Sequence, residues 1–186
     1  MARRAEVQSL TAEEFYRLPD IGRPQELIEG FVVSEPVSSR SHGAVAASIV
    51  RILGNYVHTN GLGSLTTCDS GFILARDPDT VRGADVAFIS WNRDRAAKSA
   101  GPYFPGAPDL AIEVLSPGNS PGDVRSKVAD YLAAGTRLVW CVDPAKRRVR
   151  VYRALLAPKI LTAEDELDGE DVVPGFRVKI SGLFEL

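Results

Sequence analysis

Residues 110–142 spell strand, helix, strand, and this stretch constrains the fold more than any other. Residues 110–115 (LAIEVL) form an apolar strand run, and Ser116-Pro117-Gly118-Asn119 turns it. Ser120-Pro121-Gly122-Asp123 then has the grammar of a helix start: a serine cap, proline in the first turn and an acid at the third position. Gly135 closes that helix, and residues 137–142 (RLVWCV) read as a second apolar strand. Strands joined through a helix lie parallel. Part of the sheet is therefore expected to be parallel.

The remaining elements fit around this unit. Thr11-Ala12-Glu13-Glu14 is a capping box that opens a short helix, closed by Pro19. Residues 26–33 read as a strand broken by Gly30 at a hairpin turn or bulge. Val45, Ile49, Ile52, Leu53, Tyr56 and Val57 recur at helical spacing over 41–58, with Ser39 or Ser41 as the cap and Gly61 as the stop. Residues 62–68 and 71–75 read as two strands with a hairpin turn at Asp69-Ser70. Residues 84–90 are an apolar strand, and 92–108 a loop with a short helix near 93–98. Asp143-Pro144-Ala145 turns the chain into a strand at 147–152, and small β pieces follow from Lys159. No repeat or linker divides the chain, so one domain over 1–186 is expected. Its class is α/β or α+β, a mixed central β-sheet flanked by helices.

Charge limits the partners. The 22 Lys and Arg against 24 Asp and Glu leave a net charge of −2, which excludes a protein that coats nucleic acid by charge alone. A local basic face or a bound metal stays open. Two cysteines, Cys68 and Cys141, suit a reduced compartment. No apolar signal core follows Arg3-Arg4, and no run approaches the ~20 apolar residues of a membrane span. A cytoplasmic protein is expected.

Two acids stand inside apolar strands, Asp85 and Glu113, where burial is expensive unless something compensates it. Paired carboxylates on neighbouring strands are a natural oxygen site for Mg²⁺ or Mn²⁺. Lys127 follows on the next helix. Pointing outward, it pairs with Asp123 for only ~0.3–0.5 kcal/mol. Pointing inward, it reaches a water or phosphate oxygen beside the metal. Asp109 spells PD with Pro108 but lies ~13 Å along the strand from Glu113, too far to share a metal. Candidates for phosphate or DNA contact are His42, Arg82 and Arg125. Lys146, Arg148 and Arg150 alternate on one strand face and read as charge guarding an exposed edge.

Several segments resemble the PD-(D/E)xK nuclease core and, more narrowly, the Uma family of restriction endonucleases. They are Glu26-Leu27-Ile28-Glu29-Gly30, Gly83-Ala84-Asp85-Val86-Ala87-Phe88, residues 108–117 (PDLAIEVLSP), residues 127–144 (KVADYLAAGTRLVWCVDP), Leu167-Asp168-Gly169 and Pro174-Gly175-Phe176. The resemblance implies a restriction-endonuclease-like fold, Mg²⁺ or Mn²⁺, hydrolysis of DNA phosphodiester bonds, and a homodimer with two sites for two strands. It makes Asp85 and Glu113 metal ligands and Glu26 an added acid at the metal. Ala84 replaces the motif proline, and Leu115 stands where the motif lysine belongs. Lys127 is then the displaced catalytic lysine. The lost lysine at 115 also motivates the alternative, a catalytically inactive nucleic-acid-binding or scaffolding protein on the same fold.

Overall fold

The computed structural model describes residues 9–97 and 101–185. The chain runs α1 (Ala12–Tyr16), β1 (Gln25–Ile28), β2 (Phe31–Ser34), α2 (Arg40–Thr59), β3 (Gly63–Ala75), β4 (Thr80–Ser90), α3 (Trp91–Ala96), β5 (Phe104–Pro105) and β6 (Leu110–Val114). It continues with α4 (Pro121–Ala133), β7 (Leu138–Asp143), β8 (Arg148–Tyr152), β9 (Lys159–Leu161), β10 (Glu166–Asp168), β11 (Arg177–Lys179) and a final 3-10 helix, Ile180–Phe184.

Nine strands form one mixed sheet in the order β2-β1-β4-β6-β7-β8-β9, with β3 along β4 and β5 on β3. The β6-α4-β7 unit is parallel, as its connection requires, with Glu113 opposite Cys141. β4 pairs β6 antiparallel and brings Val86 opposite Ile112. The expected class therefore holds.

Side-chain alternation along the buried strands splits the core into two layers. Leu110, Ile112 and Val114 of β6 join Leu138, Trp140 and Val142 of β7 under the α2 face, against Val45, Ile49, Leu53 and Val57. Ala111, Val139 and Cys141 lie on the other face, under Val124, Val128 and Tyr131 of α4. The smaller residues Ala87, Ala111 and Cys141 let α4 sit close to the sheet. No described helix is long and apolar enough to cross a membrane.

Both expected caps of the long helices form. Ser39 accepts from the His42 amide, and Ser120 and Asp123 make a reciprocal capping box. Gly30 does mark a hairpin turn, with Glu29 and Gly30 both left-handed.

The hairpin expected at Asp69-Ser70 does not exist. β3 is one strand of 13 residues whose register against β4 shifts between Thr67 and Ser70. The small polar residues mark a bulge, because β4 is long enough to pair with β3 on both sides of it. The reversal comes later, between Ala75 and Thr80. Nor is the basic strand an edge, since β8 pairs with β7 on one side and β9 on the other. The basic N-terminal stretch, residue 98 at the end of the expected short helix, and the Cys68 side chain lie outside what the structure describes.

A methyl group at Gly63 would fall on the Ile89 carbonyl oxygen and on the Phe88 ring. Both belong to β4, the strand that carries Asp85, and the carbonyl cannot withdraw without disturbing the ladder. Gly63→Ala is expected to lower stability by roughly 1–3 kcal/mol, read as an earlier denaturation midpoint. An unchanged midpoint would show that the ladder yields there.

Candidate active site

Glu113 is the penultimate residue of β6, on the face covered by α4. α4 buries Val124, Val128 and Tyr131. Lys127 stands three positions after Val124 and four before Tyr131, so the same stripe aims it at the sheet. Its Nζ lies 3.2 Å from Glu26 Oε1, 3.6 Å from Glu35 Oε1 and 3.6 Å from Glu113 Oε2, and the side chain is 19% exposed. Asp123 is occupied with the Ser120 cap rather than with an outward-pointing Lys127. Lys127 therefore points inward.

Burial pushes the Glu113 carboxyl up to about 8, with Asp85 and Glu26 adding to the rise and Lys127 opposing it. Tyr131 donates its hydroxyl to Glu113 Oε1 at 3.0 Å, which leaves Oε2 toward Lys127. Burial beside Glu113 raises the Tyr131 hydroxyl well above its ordinary value, so it remains a donor. Burial also works against the Lys127 ammonium, but Glu113, Glu26 and Glu35 outweigh it and hold the proton on.

Asp85 sits where β4 parts from β6. Its Oδ2 accepts from the Val114 amide at 2.7 Å and from His42 Nε2 at 3.2 Å. The carboxylate thus replaces a backbone acceptor at the strand end. Its charge reaches Glu113, yet Asp85 does not line the cleft beside Lys127. That cleft holds about 280 Å³ and is bounded by Val33, Glu35, Glu113, Leu115, Asn119 and Lys127, among others.

Three expected contacts are placed otherwise. Arg82 is only 3% exposed. It donates to Glu26 Oε2 at 2.7 Å, to Asp130 Oδ2 at 2.6 Å and to Ser126 at 3.2 Å, so it braces the cleft floor and offers nothing to a phosphate. Arg125 is exposed on α4 and lies off the cleft. His42 is buried with its ring on Asp85 instead of facing a phosphate at the helix start. Asp109 is buried at the far end of β6, where it accepts from the Ser90 amide and faces Arg93.

Glu26 also departs from its expected part. Oε2 takes Arg82, while Oε1 takes the Gly83 amide at 3.1 Å and faces Lys127. Both oxygens are engaged, so Glu26 does not fit as an open metal ligand. Asp85 Oδ1 and Glu113 Oε2 accept no hydrogen bond among the described residues. No group of three or more His, Cys, Asp or Glu suited to a metal occurs among those residues. A hard cation that keeps several waters needs only one or two carboxylates, so the chemistry of the Asp85 and Glu113 oxygens is compatible with one.

Glu35, Asp130 and Tyr131 enter the site without having been singled out in the sequence. Tyr131 could have been found from its place four residues after Lys127. Glu35 and Asp130 carry no signal, since each matters only through a distant partner.

A family model described as "Putative restriction endonuclease" (Uma2) matches residues 12–181. The crystal structure of a putative nuclease belonging to DUF820 from Anabaena variabilis matches with a TM-score of 0.80 at 24% identity, over 92% of this chain and 96% of that one. At that identity the likeness is one of fold. No curated protein is detectably similar to the chain.

Proposed function

This chain belongs to the Uma2 family, described as "Putative restriction endonuclease", and from that membership we propose that it is a metal-dependent endonuclease hydrolysing DNA phosphodiester bonds. The observation that carries the reading is the Glu113–Lys127 pair, 3.6 Å apart in a single cleft although position 115 is a leucine. A lysine arriving from α4 answers the motif's missing one and weighs against a scaffold that has lost catalysis.

Asp85 and Glu113 would hold Mg²⁺ or Mn²⁺, which when bound polarises a phosphoryl oxygen and makes its water a stronger nucleophile. Tyr131 keeps Glu113 Oε1 occupied and so orients Oε2 to the cleft. Lys127 keeps its proton and presents a fixed positive charge where charge develops on the phosphoryl oxygens. Glu26, clamped by Arg82, holds that ammonium in place. Two such sites, one per strand, call for a homodimer about a two-fold axis.

The test is nicking of supercoiled plasmid with Mg²⁺, Mn²⁺ or EDTA. Wild type should nick only with metal, and Asp85→Ala should lower the rate at least about 10³-fold with the fold intact. Nicking in EDTA, or an undiminished rate in Asp85→Ala, would overturn the reading.

A further inference from the structure

Beside the cleft lies a second hollow of about 520 Å³, and the two share Leu115, Asn119 and Val124. Its outer wall is Lys146, Arg148 and Arg150. Strand register places this wall relative to the site. Glu113 pairs with Cys141, and Cys141 with Arg150, so the three side chains share one sheet face. Two strand spacings put Arg150 about 10 Å from Glu113.

The charges there are poorly balanced. Arg148 Nε and Lys146 Nζ share one acid, Asp143, at 3.5 and 4.0 Å. Arg150 makes no ion pair among the described residues, and the Nε atoms of both arginines are buried without a hydrogen-bond partner. The groups Arg150 does face, Cys141 and Tyr152, are neutral near pH 7, the thiol being pushed up to about 12 by burial and by Glu113. A half-buried guanidinium without a counter-charge is costly. In a chain of net charge −2, a surplus of cations in one hollow points to an anionic ligand.

We propose that Lys146, Arg148 and Arg150 form a backbone track for DNA, holding phosphates of the strand whose scissile phosphate occupies the neighbouring cleft. The proposal rests on the nuclease reading above and adds to it the route of the polymer. Duplex DNA rises 3.4 Å along its axis per nucleotide of a strand, so an offset of about 10 Å places the track within about three nucleotides of the cut. The two hollows meet over Leu115, Asn119 and Val124, which line both.

Binding of a fluorescein-labelled 20-base-pair duplex, followed by anisotropy against salt, tests this. The parent chain carries Asp85→Ala, so that binding is read without cleavage. Arg148→Gln with Arg150→Gln should weaken binding at least tenfold near 0.1 M salt and reduce the log–log salt slope by about 2. Lys146 is 63% exposed, so Lys146→Glu leaves the fold alone and should shift both readouts the same way. Unchanged slope and affinity in both variants, or no duplex binding by the parent, would overturn the track. If the variants lose slope while wild type never nicks plasmid, the track stands and the nuclease reading falls. If nicking is normal and the slope unchanged, only the track falls.

Discussion

Glu113→Gln is expected to extinguish cleavage, by at least about 10³-fold, and at the same time to raise the melting temperature of the metal-free protein. The two effects share one cause. Burial lifts the Glu113 carboxyl from 4.5 to about 8, so the folded chain keeps a proton that the unfolded chain releases. The stability tied to that proton is complete below pH 4.5 and is lost as pH rises through 8. Glutamine does not titrate, so variant and wild type should melt alike near pH 4.5 and diverge to a plateau above pH 8. With about 1.4 kcal/mol for each tenfold change, the plateau is on the order of a few kcal/mol, at roughly 2–4 °C apiece. Added Mg²⁺ should reverse the order, because a ligating carboxylate must be ionised and only wild type gains from binding. Differential scanning fluorimetry at pH 5, 7 and 9 checks both halves. Equal melting at pH 9 would remove the burial argument, and retained cleavage would remove Glu113 from the site.

Arg82→Ala is expected to be the most destabilising change in the site, although Arg82 faces no substrate. Its guanidinium bridges Glu26 and Asp130 from a position almost closed to solvent. Truncation leaves the Glu26 carboxylate buried with Lys127 as its remaining cation, and breaking a buried pair in this way costs about 3–5 kcal/mol. The melting temperature should fall by roughly 10 °C. Removing the charge from both partners, Arg82→Met with Glu26→Gln, should recover part of the loss, as a double-mutant cycle would read. Arg82→Lys keeps the charge but not the fork and should fall between. Wild-type melting of Arg82→Ala would mean that Glu26 needs no brace from Arg82.

What could be read from the sequence divides by the range of the forces involved. α2 and α4 were legible because caps, stops and the 3.6-residue period are local. β6 and β7 were legible because apolar runs flank a helix, and their pairing followed from the connection alone. The bulge in β3 was not, since Asp69-Ser70 signals an irregularity without saying whether the chain reverses. That depends on β4, which begins at Thr80, four residues before the apolar run at 84–90 that the sequence marks. Asp85 and Glu113 stand out as charges in apolar strands. The sequence leaves Lys127 open between facing outward and inward, and it is the buried stripe of Val124, Val128 and Tyr131 that turns it inward. Arg82 is the opposite case, a phosphate candidate by sequence that the fold turns into a brace. Nothing near it in sequence shows that Glu26 and Asp130 converge on it. Lys146, Arg148 and Arg150 were read as edge guards because β9, only three residues long, is too short to announce itself.

The lysine of this site arrives on a helix rather than on the strand that bears the acid, and this ties chemistry to docking. A lysine two residues beyond Glu113 would keep its spacing to the acid whenever the strand was formed. Lys127 keeps its spacing only while α4 lies flat on the sheet, seated by Val124, Val128 and Tyr131. Local opening of an element on the outside of a fold can cost less free energy than opening the central strands beneath it. A chain with its sheet assembled and α4 still undocked would therefore be chemically silent, and so would a heated chain that had released only that helix. Under the proposed function, cleavage would therefore report the docking of α4 as well as the assembly of the sheet.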